Sequence, residues 1–295
     1  MQTLEALKRQ MDNVEDLASV VKTMKTLAAV SIRQYETAVE SLADYFATIQ
    51  DGLQILLLNQ PTFEHIEPGG AHRVGAIIFG SDQGMCGNFN EQIVSFATQS
   101  LIEESQIPKA DCSFLVVGAR TSGHLMDAGF PVDAEIPVAG SASGITTVVQ
   151  ELLGIIDRWR HQKHLGKVLL FYNRRQSASS YTAHRAELLP VRPENFHQSQ
   201  KQWQGPSLPT HTMDRERLFS RLIGQYLFVS LFRAHAESLA GENASRIASM
   251  QAAERNIQNR LTELRSNYHQ KRQTAITEEL LDVVTGAEAL RNEST

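Results

Sequence analysis

The chain has 295 residues, of which 42% are hydrophobic and 21% charged, with a formal net charge of −5 and no block of like charge. That is enough chain to bury a sizeable core, and too little positive charge to present a nucleic-acid surface. Two cysteines, Cys86 and Cys112, fit free thiols in a reducing compartment better than a disulfide framework.

All nine prolines lie between Pro61 and Pro209. Proline inside a helix removes a backbone donor and clashes with the preceding turn, at about 3 kcal/mol or more. Two proline-free arms therefore predict two long helices around a compact middle. The opening MQTLEALKRQ lacks the apolar stretch of a signal peptide. No apolar run reaches the ~20 residues that span a bilayer, so any membrane role is expected to run through partners.

The first arm, residues 1–58, places Leu4, Leu7, Met11, Val14, Leu17, Val21, Met24, Ala28, Ile32 and Tyr35 at steps of three and four, the seam of a coiled coil. Two slips interrupt it, a 3-3 step at Met11–Val14–Leu17 and a 4-4 step at Met24–Ala28–Ile32. The middle, residues 72–190, alternates short apolar runs with helical stretches. Strands are predicted at 73–80, 113–118 and 167–173, with helices at 90–100, 121–128 and 145–161. Tyr181–Leu189 reads as an edge strand. The β-α-β-α order predicts a Rossmann-like α/β domain with a mainly parallel sheet. Residues 191–212, rich in Pro, Gln, His and Ser, read as a linker.

The last arm, 213–290, starts near Thr212 or Asp214, either of which suits a helix cap. Its seam runs Ile247, Met250, Ala253, Ile257, Leu261, Leu264 and Tyr268, and continues through Ala275, Ile276 and Leu280. Gly286 suits a C-cap. Two long helices that enter and leave one domain pair most simply as an antiparallel coiled coil. The apolar end of the second arm asks for a partner surface.

Candidate chemistry is sparse. The loop GSDQGMCGN (80–88) lies between a strand and a helix, where phosphate loops sit. It lacks the Lys-Ser/Thr pair and the G-x-G-x-x-G spacing, so a structural turn is the better reading. His161 and His164 are spaced to share a metal but no third ligand is in view. Cys86, near a helix N-terminus, is placed for a lowered pKa, without a partner at catalytic spacing. No catalytic, cofactor or metal residues are assigned.

Four stretches carry a resemblance: VVKTMKTLAAVSIR (20–33), GSDQGMCGNFN (80–90), NASRIASMQAAERN (243–256) and NYHQKRQTAITEELLDVVTGAEAL (267–290). In order and spacing they resemble the gamma subunits of F-type rotary ATP synthases. The opening lacks that family's usual Ile-x-x-Arg-Ile-x-Ser-Val-x-Asn-Thr start, and Asn88 stands where the family has a second loop glycine. Both departures resemble the alternate, N-ATPase-like subgroup.

The resemblance implies a non-catalytic rotor shaft with no cofactor. The coiled coil would turn inside a hexamer of three alpha and three beta subunits, with the α/β domain on the membrane c-subunit ring beside epsilon. It implies a single copy in the complex, peripheral at the cytoplasmic face of a bacterial membrane. Carried over by position, Met24, Lys25, Arg272, Gln273 and Ile276 would face the hexamer, and Leu280, Val283 and Val284 would form the tip in its collar. From pattern alone, a coiled-coil scaffold with an α/β head stands as the alternative.

Overall fold

A computed structural model describes residues 3–58, 73–104, 107–177, 180–191 and 212–293. The linker reading for 191–212 falls, apart from its two ends, outside them. The chain divides into two compact units, residues 1–27 with 249–295, and residues 28–248. Two long helices contribute to both: α1 (Leu4–Ser41) and α6 (Arg215–Glu293).

In the first unit, Thr3 caps α1. Its Oγ1 accepts from the Ala6 N–H at 3.2 Å, relieving one of the orphan donors of a helix start. The two helices run antiparallel, as the ion pairs Glu15–Arg265 at 2.8 Å and Lys25–Glu254 at 2.5 Å require. The α1 seam is Leu7, Met11, Val14, Ala18, Val21 and Lys25, a regular 3-4 alternation. The two predicted slips are therefore absent. They arise from assigning the larger apolar residues Leu17 and Met24 to the seam where Ala18 and Lys25 carry the alternation. Leu17 is 56% exposed, while Met24 is half-buried beside the seam.

On α6 the predicted seam from Met250 to Tyr268 is inward, but Ala275, Ile276 and Leu280 are exposed. On the register of the two ion pairs, Ala275 and Ile276 lie level with the first residues of α1, and Leu280 lies past its first described turn. Nor does Gly286 end the helix, which runs on to Glu293; a single glycine costs about 1 kcal/mol relative to alanine and does not by itself stop a helix this long.

The second unit holds the sheet. The first arm breaks once, at Leu42, where α1 gives way to α2 (Ala43–Leu58). Ser41 Oγ donates back to the Ala38 carbonyl at 2.9 Å, and the Leu42 N–H reaches Val39 O at 3.2 Å, a tightened last turn. α2 stacks on α6 through Phe46 and Tyr226, with ring centroids 5.7 Å apart. Asp214 caps α6, accepting from the Arg217 N–H at 3.3 Å.

Five strands follow: β1 (Val74–Phe79), β2 (Cys112–Val117), β3 (Ala134–Ile136), β4 (Lys167–Arg175) and β5 (Tyr181–Leu189). Their order is β3-β2-β1-β4-β5, parallel except for β5, which pairs antiparallel with β4. The edge strand falls where the sequence placed it; the three-residue β3 has no sequence signal. The helices between them are α3 (Phe89–Gln99), α4 (Ala119–Asp127) and α5 (Ile145–Lys163).

β1 and β2 are buried along their whole length, because both faces are covered. Ala76, Ile78, Phe114, Val116 and Phe171 meet α3 and α4 on one face. Ile77, Phe79, Leu115, Val117 and Leu170 meet α5, α6 and Tyr35 of α1 on the other. Each large side chain so buried contributes about 1.5–3 kcal/mol.

Candidate functional site

Of the residues singled out for partner contact, the first unit holds all. Arg272, Gln273, Ile276, Leu280, Val283 and Val284 are exposed, and every residue from Arg272 to Gly286 is. Leu280 is 63% and Val283 68% exposed. A bare apolar helix surface of this kind calls for a partner. Lys25 differs. Its ammonium is half-buried and donates to Glu254 across the coil, which holds the Glu254 carboxyl below its usual pKa, first through the hydrogen bond and then through the charge. Leu17, Val20 and Leu27 are each more than half exposed. With Met24 they form a second apolar stripe on α1, at helical spacing, outside the seam. Strict alternation counted from Leu4 would have revealed it.

The second unit contains the crevice where an α/β fold of this kind binds ligands. Strand order reverses between β1 and β4, and ligands bind at the carboxyl ends of the strands at such a switch point. Here α6 fills that position. From Ala234 to Arg246 it is buried at every residue but Glu237. Ser238 Oγ donates to the Phe79 carbonyl that ends β1, at 3.3 Å. Gly241 lies against the Asn173 carbonyl of β4, where an added Cβ would come within 2.8 Å of the oxygen. Ser245 Oγ donates to the Cys86 carbonyl at 2.5 Å.

The 80–90 loop closes the same place. Asn90 is its hub: Oδ1 accepts from the Ser81 N–H at 3.0 Å and from Thr121 Oγ1 at 2.8 Å, and Nδ2 donates to Ser81 Oγ at 2.8 Å. Asp82 accepts from the Ala119 N–H at 2.9 Å, capping α4, and from the Val138 N–H at 2.9 Å. Gly118 is required there: its φ is +116° and a Cβ would lie 2.7 Å from Ser81 N. The Ser81 N–H and the first N–H of α4, donors of the kind that cradle a phosphate, are thus satisfied by side chains of the chain itself.

Asn88, the departure from the family pattern, accepts a hydrogen bond from the Tyr181 hydroxyl at 3.0 Å. Cys86 is buried, and burial pushes its thiol pKa up; this reverses the lowered pKa expected from its place near a helix start. His161 pairs with Asp157 at 3.4 Å, and His164 ends α5 in the left-handed conformation. Among the described residues no three His, Cys, Asp or Glu side chains cluster to hold a metal.

Three ionisable side chains are buried on α6, of which only Arg246 lies in a stretch the sequence singled out, 243–256. Arg246 donates to Glu242 at 2.6 Å, and both side chains are about nine-tenths buried. Burial pushes Glu242 up against the pull of Arg246. His235 is packed against Phe79 with neither ring nitrogen hydrogen-bonded, and burial drives its pKa down to about 3.

A family model described as ATP synthase matches residues 3–290. The chain belongs to the ATP synthase family. Its relatives there include the ATP synthase gamma chain of Syntrophus aciditrophicus, 27% identical over 292 residues, covering 98% of this chain and 99% of the relative. The gamma chain of Desulfitobacterium hafniense is 27% identical over 296 residues, covering 98% of this chain and 100% of the relative.

Solved ATP synthase structures share the fold. A central stalk and c-ring structure from Tetrahymena thermophila aligns over 79% of this chain and 99% of that chain, with a TM-score of 0.58 and 21% identity. A rotor structure from Euglena gracilis aligns over 92% and 98%, with a TM-score of 0.63 and 13% identity. In this member of the family, α6 occupies the crevice at which the fold class binds ligands.

Proposed function

We propose that this chain is the central-stalk gamma subunit of an F-type rotary ATP synthase, a non-catalytic rotor that couples ion flow through a membrane ring to ATP synthesis or hydrolysis in an alpha/beta hexamer. The observation that carries this is the bare end of α6, exposed at every residue from Arg272 to Gly286, in a chain whose ATP synthase match runs to residue 290. A two-helix coil has no threefold symmetry, so it presents a different face to each catalytic subunit. A contact difference of about 1.4 kcal/mol changes a site's affinity about tenfold. Linkage makes the effect reciprocal, so nucleotide state also acts on the shaft.

In this reading Arg272 and Gln273 contact a beta-subunit loop, with the planar guanidinium suited to a carboxylate. Met24, Lys25 and Ile276 face the hexamer, and Leu280, Val283 and Val284 turn in its collar. The α/β domain rests on the c-subunit ring beside epsilon. The location is peripheral, at the cytoplasmic face of a bacterial membrane; no helix among the described residues is long and apolar enough to cross one. Membership of the alternate, N-ATPase-like subgroup is supported by Asn88 and by the divergent opening residues. No observation favours a scaffold.

The test is ATP hydrolysis by alpha and beta subunits from the same source, with and without this chain. A stable complex whose turnover depends on the chain, and falls with Arg272→Ala or Gln273→Ala, is expected. Failure to co-purify, with no effect on turnover, would overturn the proposal.

A further inference from the structure

We infer that the crevice between β1 and β4 is the joint that fixes α6 against rotation about its own axis in the α/β domain, with Ser238, Gly241 and Ser245 as its positioning residues. The inference rests on the rotor reading, in which the α/β domain must turn α6 without slip.

The three residues are spaced three and four apart and so share one face of the helix. Each meets a backbone carbonyl from a different segment: Phe79 at the end of β1, Asn173 in β4, and Cys86 in the 80–88 loop. Backbone acceptors held in a sheet and a braced loop cannot swing aside as side chains do. At Gly241 the contact is a steric stop, since the Asn173 oxygen occupies the space of a Cβ. Turning α6 by one residue position, about 100°, would drive Ala240 or Glu242 into that oxygen. The same segment is held from α1 and α5, with Ala236, Leu239 and Ala240 in the core cluster that includes Tyr35.

Protein interiors are close-packed and hardly compressible, so a helix enclosed this way transmits rotation. The composition fits the role. Ala234, Ala236, Ser238, Ala240, Gly241, Ala244 and Ser245 are all small, which admits the close approach.

The experiment uses the assembled complex with its hexamer immobilised and a bead attached through Arg120→Cys on the exposed start of α4. The angular spread of the bead at each catalytic pause reports torsional stiffness. Gly241→Val is expected to broaden that spread by about twofold, as overpacking shifts the helix, and Ser245→Ala to broaden it less. Both should hydrolyse ATP at near-parental rates per assembled complex. Phe114→Leu, in the core face away from the joint, should lower thermal stability and leave the spread unchanged.

Pauses as narrow as the parent's in the variants that assemble would overturn the joint; if Gly241→Val fails to assemble, Ser245→Ala alone decides. Broadening by Phe114→Leu would also overturn it, by showing that any destabilisation suffices. A parent that assembles and hydrolyses ATP but never rotates would instead refute the rotor reading, and the joint with it.

Discussion

Lys25 Nζ lies 2.5 Å from Glu254 Oε2, joining α1 to α6 across the coil. A lysine in a coiled-coil seam is ordinarily a cost in stability. Here its stem packs inward while its charge is met by a carboxylate on the facing helix, the arrangement amphipathic side chains adopt at such positions. The pair therefore sets register, and Lys25 presents a neutralised rather than a free charge to any hexamer.

That neutralisation is measurable. In Lys25→Met the Glu254 carboxyl should titrate closer to the ordinary glutamate range, since the hydrogen bond and charge that depress it are gone. A depressed carboxylate pKa contributes stability above the unfolded value and loses it as pH falls through the folded one. The parent should accordingly show an acid-side loss that Lys25→Met lacks. Carbon-detected NMR titration of the labelled glutamates checks this; an unmoved Glu254 would mean that the pair does not persist in solution.

Arg272 is exposed, and surface changes of this kind usually stay within about 0.5 kcal/mol. Arg272→Ala should leave the melting temperature of the chain unchanged while lowering chain-dependent ATP hydrolysis by the hexamer. A fall in melting temperature comparable to that of a core substitution would show that Arg272 serves the fold instead.

Glu242 and Arg246 are buried together on α6. Removing one partner of such a pair leaves an uncompensated buried charge and costs about 3–5 kcal/mol. Arg246→Met should be destabilising by that order in denaturant unfolding, and Glu242→Gln in the same chain should recover part of the loss. Additive losses in the double variant would show that the two side chains are not coupled.

His235 supplies a pH dependence of opposite origin. Burial holds its pKa at about 3, against an ordinary value near 6.5. Between these values the unfolded chain binds the proton and the folded chain does not. Stability therefore rises with pH across that window and is lost as pH falls, by at most about 1.4 kcal/mol per unit. His235→Leu should flatten the profile between pH 4 and 6 and raise the melting temperature, because two buried nitrogens without hydrogen bonds are removed. An unchanged profile would assign the acid-side loss to other groups.

The proline-free arms, the strands expected at 73–80, 113–118 and 167–173, and the edge strand Tyr181–Leu189 were legible in the sequence, because each rests on local periodicity or on proline chemistry; the antiparallel direction of the edge strand was not. The end of α6 was legible only in part: its apolar residues ask for a partner surface, but the seam was extended through Ala275, Ile276 and Leu280, which are exposed. The seam of α1 was legible only in part. Ala18 and Lys25 occupy it while Leu17 stays outside, since heptad geometry selects position before size.

The 80–90 loop shows the same limit. Its residues are those of a strand-to-helix turn, but only the folded chain brings Asn90 to Ser81 and Thr121, and Asp82 to Ala119 and Val138.

What the sequence by itself determined is the class of molecule: two long helices around a mainly parallel α/β domain, with motifs in family order along the chain. Periodicity, proline exclusion and motif spacing are properties of neighbours in the chain. What only the tertiary structure decided is the use of the crevice between β1 and β4. Phe79, Asn173 and Cys86 lie 65 residues or more from Gly241 along the chain, and no local pattern reports which carbonyl will face a glycine. Packing brought them together, and the place where this fold would hold a ligand holds its own helix instead.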